Sequence, residues 1–368
     1  MSVVPESSDQ AASPVPPGED EPRLLSWKAV VKRAVVIAIA GLALYLVAPK
    51  VIDVFTSFPQ LASVDFIWLG AAVVAQVAHF GCTFALQRIA LRTKAWFPVV
   101  TAQLAGNSIS LIMPGGAAAG AAVQFRMLAT SGMDAGEAVG GLTAFSLLGV
   151  AGLLALPVFA FPAILFGTPI NRSLFDAALL GIVGFVLFAG FATTVLLTDR
   201  PLRLLGRAIE WARNRILRHR APLTGLGLQL LKQRDLIRGV LGEQWWQAVL
   251  LSAGRLVFDF LCLLCALRAV GSRPSPALVL IAYAVTGIIG MIPITPGGLG
   301  IVEASLTGFL VLAGVDSGEA VLATLAYRLA SYWLPLLAGP AAYAVFKRRY
   351  QHAPPPPPSA DKAEAMPA

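Results

Sequence analysis

One apolar segment is broken by prolines and glycines in a way that sets the architecture: Met291-Ile-Pro-Ile-Thr-Pro-Gly-Gly-Leu-Gly-Ile-Val-Glu303. Pro293 and Pro296 each remove a backbone donor and fix φ, so a regular helix cannot pass smoothly through them. Three glycines follow the second proline, namely Gly297, Gly298 and Gly300. Glycine permits backbone angles that other residues avoid, and broken backbone inside a bilayer persists only where protein or a water-filled cavity satisfies it. The segment predicts a hinge between two half-helices.

A second copy of this pattern lies upstream at Met113-Pro-Gly-Gly-Ala117. Its hinge residues are Pro114, Gly115 and Gly116. Pro114 and Pro296 are separated by 296 − 114 = 182 residues. At the same offset, Gly132–Val139 matches Gly314–Val321 at six of eight positions without a gap. Both motifs could instead be common loop sequences, but two matched blocks with one spacing favour an internal repeat. Such a repeat is typical of transporters whose site lies at the repeat interface.

The composition indicates an all-α, polytopic membrane protein. Of the 368 residues, 57% are hydrophobic and 13% are charged, whereas about a quarter of a soluble domain is charged. The histidines are scattered, and Cys262-x-x-Cys265 lies in an apolar run without further ligands nearby. We therefore expect no metal, no cofactor and no catalytic constellation.

Apolar runs give six full spans, or eight if the broken helices also cross. We expect the spans near 29–48, 66–86, 138–160, 174–197, 244–268 and 319–346. A signal peptide is the competing interpretation of the first. The helices at 99–113, at 117–129 and within 277–314 are too short to cross comfortably and predict two re-entrant pairs.

The domain boundaries follow from the same pattern. The membrane domain covers 23–350, and its repeat halves lie at about 66–166 and 244–346. The tails at 1–22 and 351–368 are predicted to be disordered because they are rich in proline and polar residues.

Residues 198–240 form a basic amphipathic segment, with ten Lys or Arg against three acids. We expect it to rest on anionic membrane lipids rather than to bind nucleic acid, because the rest of the chain is so apolar. Basic clusters also occur at 23–33, 88–94 and 347–349. All should be cytoplasmic in the cell (inner) membrane, which places both termini inside and gives the repeat copies opposite orientations, an inverted repeat.

Polar residues at membrane depth are candidates for binding a lipid headgroup, because charges there are costly and usually face a cavity or a partner. The candidates are Gln124, Arg126, Arg255, Glu303, Tyr327 and Arg328. The guanidinium fork of arginine suits phosphate oxygens. The structural alternative is that Arg255 pairs with Asp259, four residues later, and that Glu303 and Arg328 fasten the hinge.

Four acids and one histidine have simpler explanations. Asp134, Glu137, Asp316 and Glu319 begin the helices that follow Gly132 and Gly314. Acids at these positions cap free N–H groups and suit the helix dipole. His79 is predicted to be a packed residue rather than a proton relay.

The motifs resemble those of the lysylphosphatidylglycerol synthase transmembrane, or flippase-like, family over about 30–346. Ile292–Glu303, followed by Gly314 and Tyr327-Arg328, resembles its C-terminal signature, and Pro114-Gly-Gly with Gln124-Phe-Arg126 resembles its N-terminal motif. The commoner form carries a Gly-Glu after the first proline. Ala119-Gly-Ala121 has no such acid, which leaves Arg126 as the counterpart of the family's arginine.

The resemblance implies an integral membrane protein of lipid metabolism that translocates a phospholipid or a lipid-linked saccharide. We expect no enzyme activity, because the aminoacyl-transferase domain of the best-known members has no counterpart here. Two alternatives stay open. One is a membrane transferase acting on a lipid, with Glu303 as its acid or base. The other is a scaffold that docks a lipid-synthesis enzyme through 198–240.

Overall fold

The computed structural model describes residues 65–113, 116–165, 172–216, 225–292 and 295–350. Both predicted tails, the predicted first span and the hinge residues Pro114, Gly115 and Pro293 lie outside these ranges. Within them, the regular elements are all helical. The predicted class, a helical membrane protein, is confirmed.

Eleven helices are found in the described part of the chain. They are α1 (Phe66–Ala90), α2 (Trp96–Ile112), α3 (Gly116–Thr130), α4 (Ala135–Leu165), α5 (Arg172–Leu197), α6 (Arg200–Ile216), α7 (Leu226–Ala269), α8 (Pro276–Gly290), α9 (Ile301–Leu312), α10 (Ser317–Arg328) and α11 (Leu334–Tyr350). A 3₁₀ turn at Pro296–Gly298 precedes α9, and a π turn at Leu329–Trp333 joins α10 to α11.

Five stretches of the described chain are long and apolar enough to cross a membrane. They are Phe66–Ala90, Ala135–Phe159, Leu174–Val195, Gln244–Ala269 and Ser317–Tyr350. These agree with five of the six predicted spans. Helix α8 has 15 residues, about 22 Å at 1.5 Å per residue, which is short of the roughly 30 Å hydrocarbon core. The total number of spans stays a prediction.

The two short helix pairs enter the bundle from opposite ends. The amide of Asp65 donates to the carbonyl of Ala269 at 2.9 Å, so α1 begins beside the end of α7, close to the start of α8. At the other end of α1, α2 begins where the guanidinium of Arg349 stacks 4.4 Å from the ring of Phe97. An inverted repeat requires this geometry, although the repeat itself stays a prediction.

The matched sequence blocks adopt matched local structures. Gly132 and Gly314 have φ of +92° and +91°, angles that favour glycine. Asp134 and Asp316 each accept a hydrogen bond from the amide two residues later, at 2.8 and 2.9 Å. The helices that follow begin at Ala135 and Ser317, again 182 residues apart. The capping role predicted for the two aspartates is confirmed.

Four packed apolar clusters are found in the described part of the chain, and two of them are the largest. The larger contains buried residues of α1, α7, α8, α9 and α10, among them Leu263, Val279 and Leu306. The smaller joins α2 and α3 to α11 through Val99, Leu128 and Phe346.

Small residues bring α2 and α11 together. A Cβ added at Gly339 would lie 2.2 Å from the Cβ of Ser108, so only glycine fits there. Close backbone approach at small residues is a common way for helices to associate in lipid. The approach places one face of α11 against the short helix α2.

Outside the spans, Arg234 fastens the basic segment. The side chain of Arg234, on the part of α7 before its kink at Gln244, donates to Asp199 and Asp235. Asp199 immediately precedes α6 and also accepts from Arg203. Hydrogen bonding from Arg234, and to a smaller extent from Arg203, lowers the pKa of the Asp199 carboxyl. This contact holds α6 against α7.

Candidate functional site

The second hinge, at Pro296–Gly300, is a tight turn stabilised by the carboxylate of Glu303. Gly297, Gly298 and Gly300 have φ of +59°, +70° and +82°. Oε2 of Glu303 accepts a hydrogen bond of 2.6 Å from the amide of Gly300 at the start of α9, which is the half of a capping box that a glycine N-cap allows. The glycines therefore supply backbone angles that the turn requires, and Glu303 satisfies one of the amides that the broken helix leaves free.

Arg328 fastens this hinge to the last long helix. Its Nε donates to Oε1 of Glu303 at 2.7 Å, and its terminal nitrogen donates to the carbonyl of Gly297 at 3.3 Å. The guanidinium also stacks 4.4 Å from the ring centre of Tyr332. The side chains of the ion pair are 12% and 13% exposed. These contacts correspond to the fastening role considered for both residues.

The second hinge touches the helix that leads into the first. The hydroxyl of Tyr332 donates to the carbonyl of Leu111 at 3.2 Å. A Cβ added at Gly297 would lie 2.6 Å from the same carbonyl oxygen. Leu111 stands three residues before Pro114 in the sequence. The two interrupted elements therefore meet inside the bundle.

A cavity of about 560 Å³ lies between α2, α3 and α11, and we call it the groove. It is lined by Ala105, Ser108, Ile109, Ile112, Val123, Arg126, Met127, Thr130, Gly339, Pro340, Tyr343, Phe346, Lys347 and Tyr350. Its extent along α11, from Gly339 to Tyr350, is about 16 Å at 1.5 Å per residue, roughly half of the hydrocarbon thickness. The groove reaches Ile112, the neighbour of Leu111, and so runs from one end of the bundle to the meeting of the hinges.

Two cations line the groove, Arg126 and Lys347. Both are exposed, and neither side chain has a hydrogen bond or an ion pair with the part of the chain that the structure describes. None of the lining residues is acidic. The remaining surface is mostly aliphatic or aromatic. The groove therefore combines an apolar wall with two cations that are free to bind an anion.

Arg255 does not pair with Asp259 as the structural alternative proposed, and this prediction is wrong. Oδ2 of Asp259 instead accepts hydrogen bonds from Tyr283 at 2.6 Å and from Tyr327 at 2.8 Å. The guanidinium of Arg255 lies 5.7 Å from the ring centre of Phe145, and its buried Nε has no partner in the described structure. The tyrosines from α8 and α10 donate to the carboxylate of Asp259. Its partners are therefore set by the packing of other helices and not by its spacing from Arg255 along α7.

Two other polar residues are held by neighbouring helices. Nδ1 of His79 lies 2.8 Å from the carbonyl oxygen of Arg255, which fits a packed histidine. Oε1 of Gln124 accepts a hydrogen bond from buried Gln87 at 2.8 Å, while its side chain packs closely over Gly106. Gln124 therefore joins α3 to α1 and α2.

The predicted headgroup residues do not form one cluster. Arg126 lies in the groove; Glu303 and Arg328 fasten the second hinge; Tyr327 binds Asp259; Arg255 contacts α4. Headgroup binding by these residues stays a prediction. Lys347 is not among the predicted residues, because the basic run at 347–349 was interpreted as a marker of the cytoplasmic side and not as part of a site. Its spacing of four residues from Tyr343, on one helix face, was the available signal.

The family model described as the lysylphosphatidylglycerol synthase TM region matches residues 33–339. The chain belongs to this family. Two proteins described as UPF0104 membrane proteins of Methanothermobacter thermautotrophicus are also similar. One is 35% identical over 89 residues, which cover 24% of this chain and 25% of the relative. The other is 36% identical over 78 residues, covering 21% and 23%. The matches thus span about a quarter of the relatives' length, and the protein is a multi-pass membrane member of the family.

Proposed function

We propose that the protein translocates a phospholipid or a lipid-linked saccharide across the cell membrane. The headgroup enters the groove at the cytoplasmic end and moves towards the meeting of the two hinges, while the tail stays in the bilayer. The observation that carries this proposal is the groove itself, which places Arg126 and Lys347, both unpaired within the described structure, beside an apolar wall.

The electrostatics favour a lipid headgroup as the occupant. A charge at membrane depth is costly unless it faces water, a cavity or a counter-charge. Arginine and lysine both bind phosphate, arginine through two parallel hydrogen bonds. A headgroup that meets Arg126 and Lys347 in the groove would have its charge compensated there, which reduces the desolvation cost that limits spontaneous translocation.

The cytoplasmic assignment of this end is part of the proposal. Helix α11 ends in Lys347-Arg-Arg349, and Arg349 lies on Phe97, close in the sequence to Arg88, Arg92 and Lys94. An excess of Lys and Arg in short loops marks the cytoplasmic face. Both chain termini would then be cytoplasmic as well.

Translocation without chemistry is favoured over a lipid transferase. A catalytic role for Glu303 requires a carboxylate oxygen that can reach the substrate. One oxygen already accepts from the Gly300 amide, and the other from Arg328. A scaffold that acts through α6 remains the other candidate, but it gives no role to the groove.

The test is the leaflet distribution of headgroups in liposomes that contain the purified protein. We expect the fraction of phosphatidylglycerol headgroups that a membrane-impermeant oxidant can reach to rise above that of empty liposomes. Arg126→Ala and Lys347→Ala should slow this exchange, whereas Arg348→Ala, which removes a neighbouring charge outside the groove lining, should not. An unchanged distribution for every anionic lipid tried would remove the proposal.

A further inference from the structure

We infer that the groove selects lipids whose headgroup charge comes from phosphate alone, and most strongly a phosphate monoester such as phosphatidate or a polyprenyl phosphate. A cationic, aminoacylated headgroup does not fit it. This inference rests on the proposed function, because it names the substrate class of the same groove.

The helices that build the groove contain no acid at all. Neither α2, α3 nor α11 has an Asp or Glu anywhere in its sequence. In the chain, the nearest acid after α3 is Asp134, whose Oδ1 already accepts from the amides of Gly136 and Glu137. An ammonium group brought into the groove would therefore meet Arg126 and Lys347 and find no carboxylate there.

This distribution of charge discriminates between headgroups. A lysyl ester adds two ammonium groups to the single negative charge of phosphatidylglycerol, so the headgroup becomes net positive. Like charges brought close together repel, and an ammonium group that loses water on binding needs a partner. A phosphate monoester instead carries about −1.5 to −2 at neutral pH, which matches two cations.

The polar groups of the groove suit a phosphate in position as well as in charge. Tyr343, Lys347 and Tyr350 follow at spacings of four and three on α11 and share one helix face. Arg126 stands on the facing helix α3, where Thr130, one turn later, donates to its carbonyl. The groove therefore presents hydroxyl and cationic donors from two sides, and its apolar residues are left to contact the tail.

The experiment uses the full-length protein in detergent and measures binding of phosphatidic acid that carries a fluorescent label on its acyl chain. Unlabelled competitors are phosphatidic acid, phosphatidylglycerol, lysylphosphatidylglycerol, phosphatidylcholine and soluble glycerol 3-phosphate. Displacement should be strongest with phosphatidic acid and weaker with phosphatidylglycerol. It should be no greater with lysylphosphatidylglycerol than with phosphatidylcholine. Glycerol 3-phosphate should compete poorly, because it lacks the tail.

Variants link the selectivity to the groove. Arg126→Ala and Lys347→Ala should each weaken binding about tenfold, the usual size for a lost charge-assisted hydrogen bond. Lys347→Arg should keep most of the affinity, and Arg348→Ala serves as the control for charge near the same membrane surface. Retained secondary structure and thermal unfolding at the wild-type temperature would show that each variant is folded.

Several outcomes would overturn the inference. Displacement by lysylphosphatidylglycerol as strong as that by phosphatidic acid would do so, as would equal losses in Arg126→Ala and Arg348→Ala. Competition by glycerol 3-phosphate that equals the lipid's would show a site for free anions instead. The liposome assay separates the two proposals. Translocation without this selectivity rejects only the inference, and selective binding without translocation rejects only the proposed function.

Discussion

The hydroxyl of Tyr332 donates a hydrogen bond of 3.2 Å to the main-chain carbonyl of Leu111, a residue 221 positions earlier in the chain. Leu111 belongs to the last turn of α2, where carbonyls lack a partner within the helix. The bond therefore satisfies a group that the first hinge leaves free, and it comes from the π turn that follows Arg328. Any movement of one hinge against the other must break or replace it.

Tyr332→Phe should destabilise the contact between the hinges without removing the aromatic ring under Arg328. Leaving a buried carbonyl unsatisfied costs about 1–3 kcal/mol. Tyr332→Leu should cost more, because it also removes the stacking at 4.4 Å. Thermal unfolding in detergent measures both. If the phenylalanine variant is as stable as the wild type, water or another donor already satisfies the carbonyl of Leu111.

Gly297→Ala should be among the most damaging glycine substitutions. Its φ is +59°, and a Cβ would lie 2.6 Å from the carbonyl oxygen of Leu111. The left-handed conformation alone costs about 1–2 kcal/mol for an alanine, before the clash is counted. Gly308→Ala in α9 is the control, since a Cβ there meets nothing within 4 Å. Equal unfolding temperatures for the two variants would contradict a close contact between the hinges.

The pair Glu303–Arg328 should show strong coupling. Removing one partner of a buried ion pair typically costs about 3–5 kcal/mol, because the other charge is left unpaired. Glu303→Gln and Arg328→Gln should each be this severe, and the double variant should cost much less than the sum. A double-mutant cycle on thermal unfolding measures the difference. Additive effects would show that the two side chains act independently of each other.

Tyr283→Phe and Tyr327→Phe should destabilise the bundle, because each removes one of the two donors to Oδ2 of Asp259. A hydrogen bond to a carboxylate is worth about 1.5–3 kcal/mol. Adding Asp259→Leu to the double phenylalanine variant should recover part of the loss, since the carboxylate that lost its two donors is then absent. A triple variant less stable than the double variant would argue that Asp259 has a further partner.

The contact between α6 and α7 should weaken in acid. The folded-state pKa of Asp199 is lowered, chiefly by its hydrogen bond with Arg234. The stabilisation is therefore present above the unfolded value of about 3.9 and is lost as the pH falls through the lower folded value. The protection of the α6 amides, which is their exchange rate relative to the intrinsic rate at the same pH, should fall over that window. Asp199→Asn should lower this protection already at neutral pH and remove its dependence on pH, whereas Asp176→Asn, on α5, should leave it unchanged.

The sequence was sufficient for the features that local rules govern. Proline and glycine chemistry predicted a break after Met291, and the turn with three positive φ angles lies there. Asp134 and Asp316 cap their helices because a helix start needs an acceptor whatever its tertiary surroundings. Apolar runs long enough to cross a bilayer as a helix were also predicted as spans, because length and composition alone decide this.

The groove could not be predicted because it depends on which helices pack together. Lys347 and Arg126 are 221 residues apart, and only the close approach of Gly339 to Ser108 places them around one cavity. The pairing of Arg255 with Asp259 was wrong for a similar reason. Helical spacing allowed the contact, but tyrosines 24 and 68 residues away along the chain reach the carboxylate instead.

The π turn at Leu329–Trp333 determines which face of the following helix, α11, points towards the groove. A π turn holds one more residue than an α turn. Deleting a residue here would rotate α11 by about 100° relative to α10. Arg328 would still pair with Glu303, but the side chains of Lys347 and Tyr343 would no longer line the groove. Relatives of this chain could therefore share every hinge residue and yet present different side chains to the lipid, through a single insertion or deletion between the two halves of one helix.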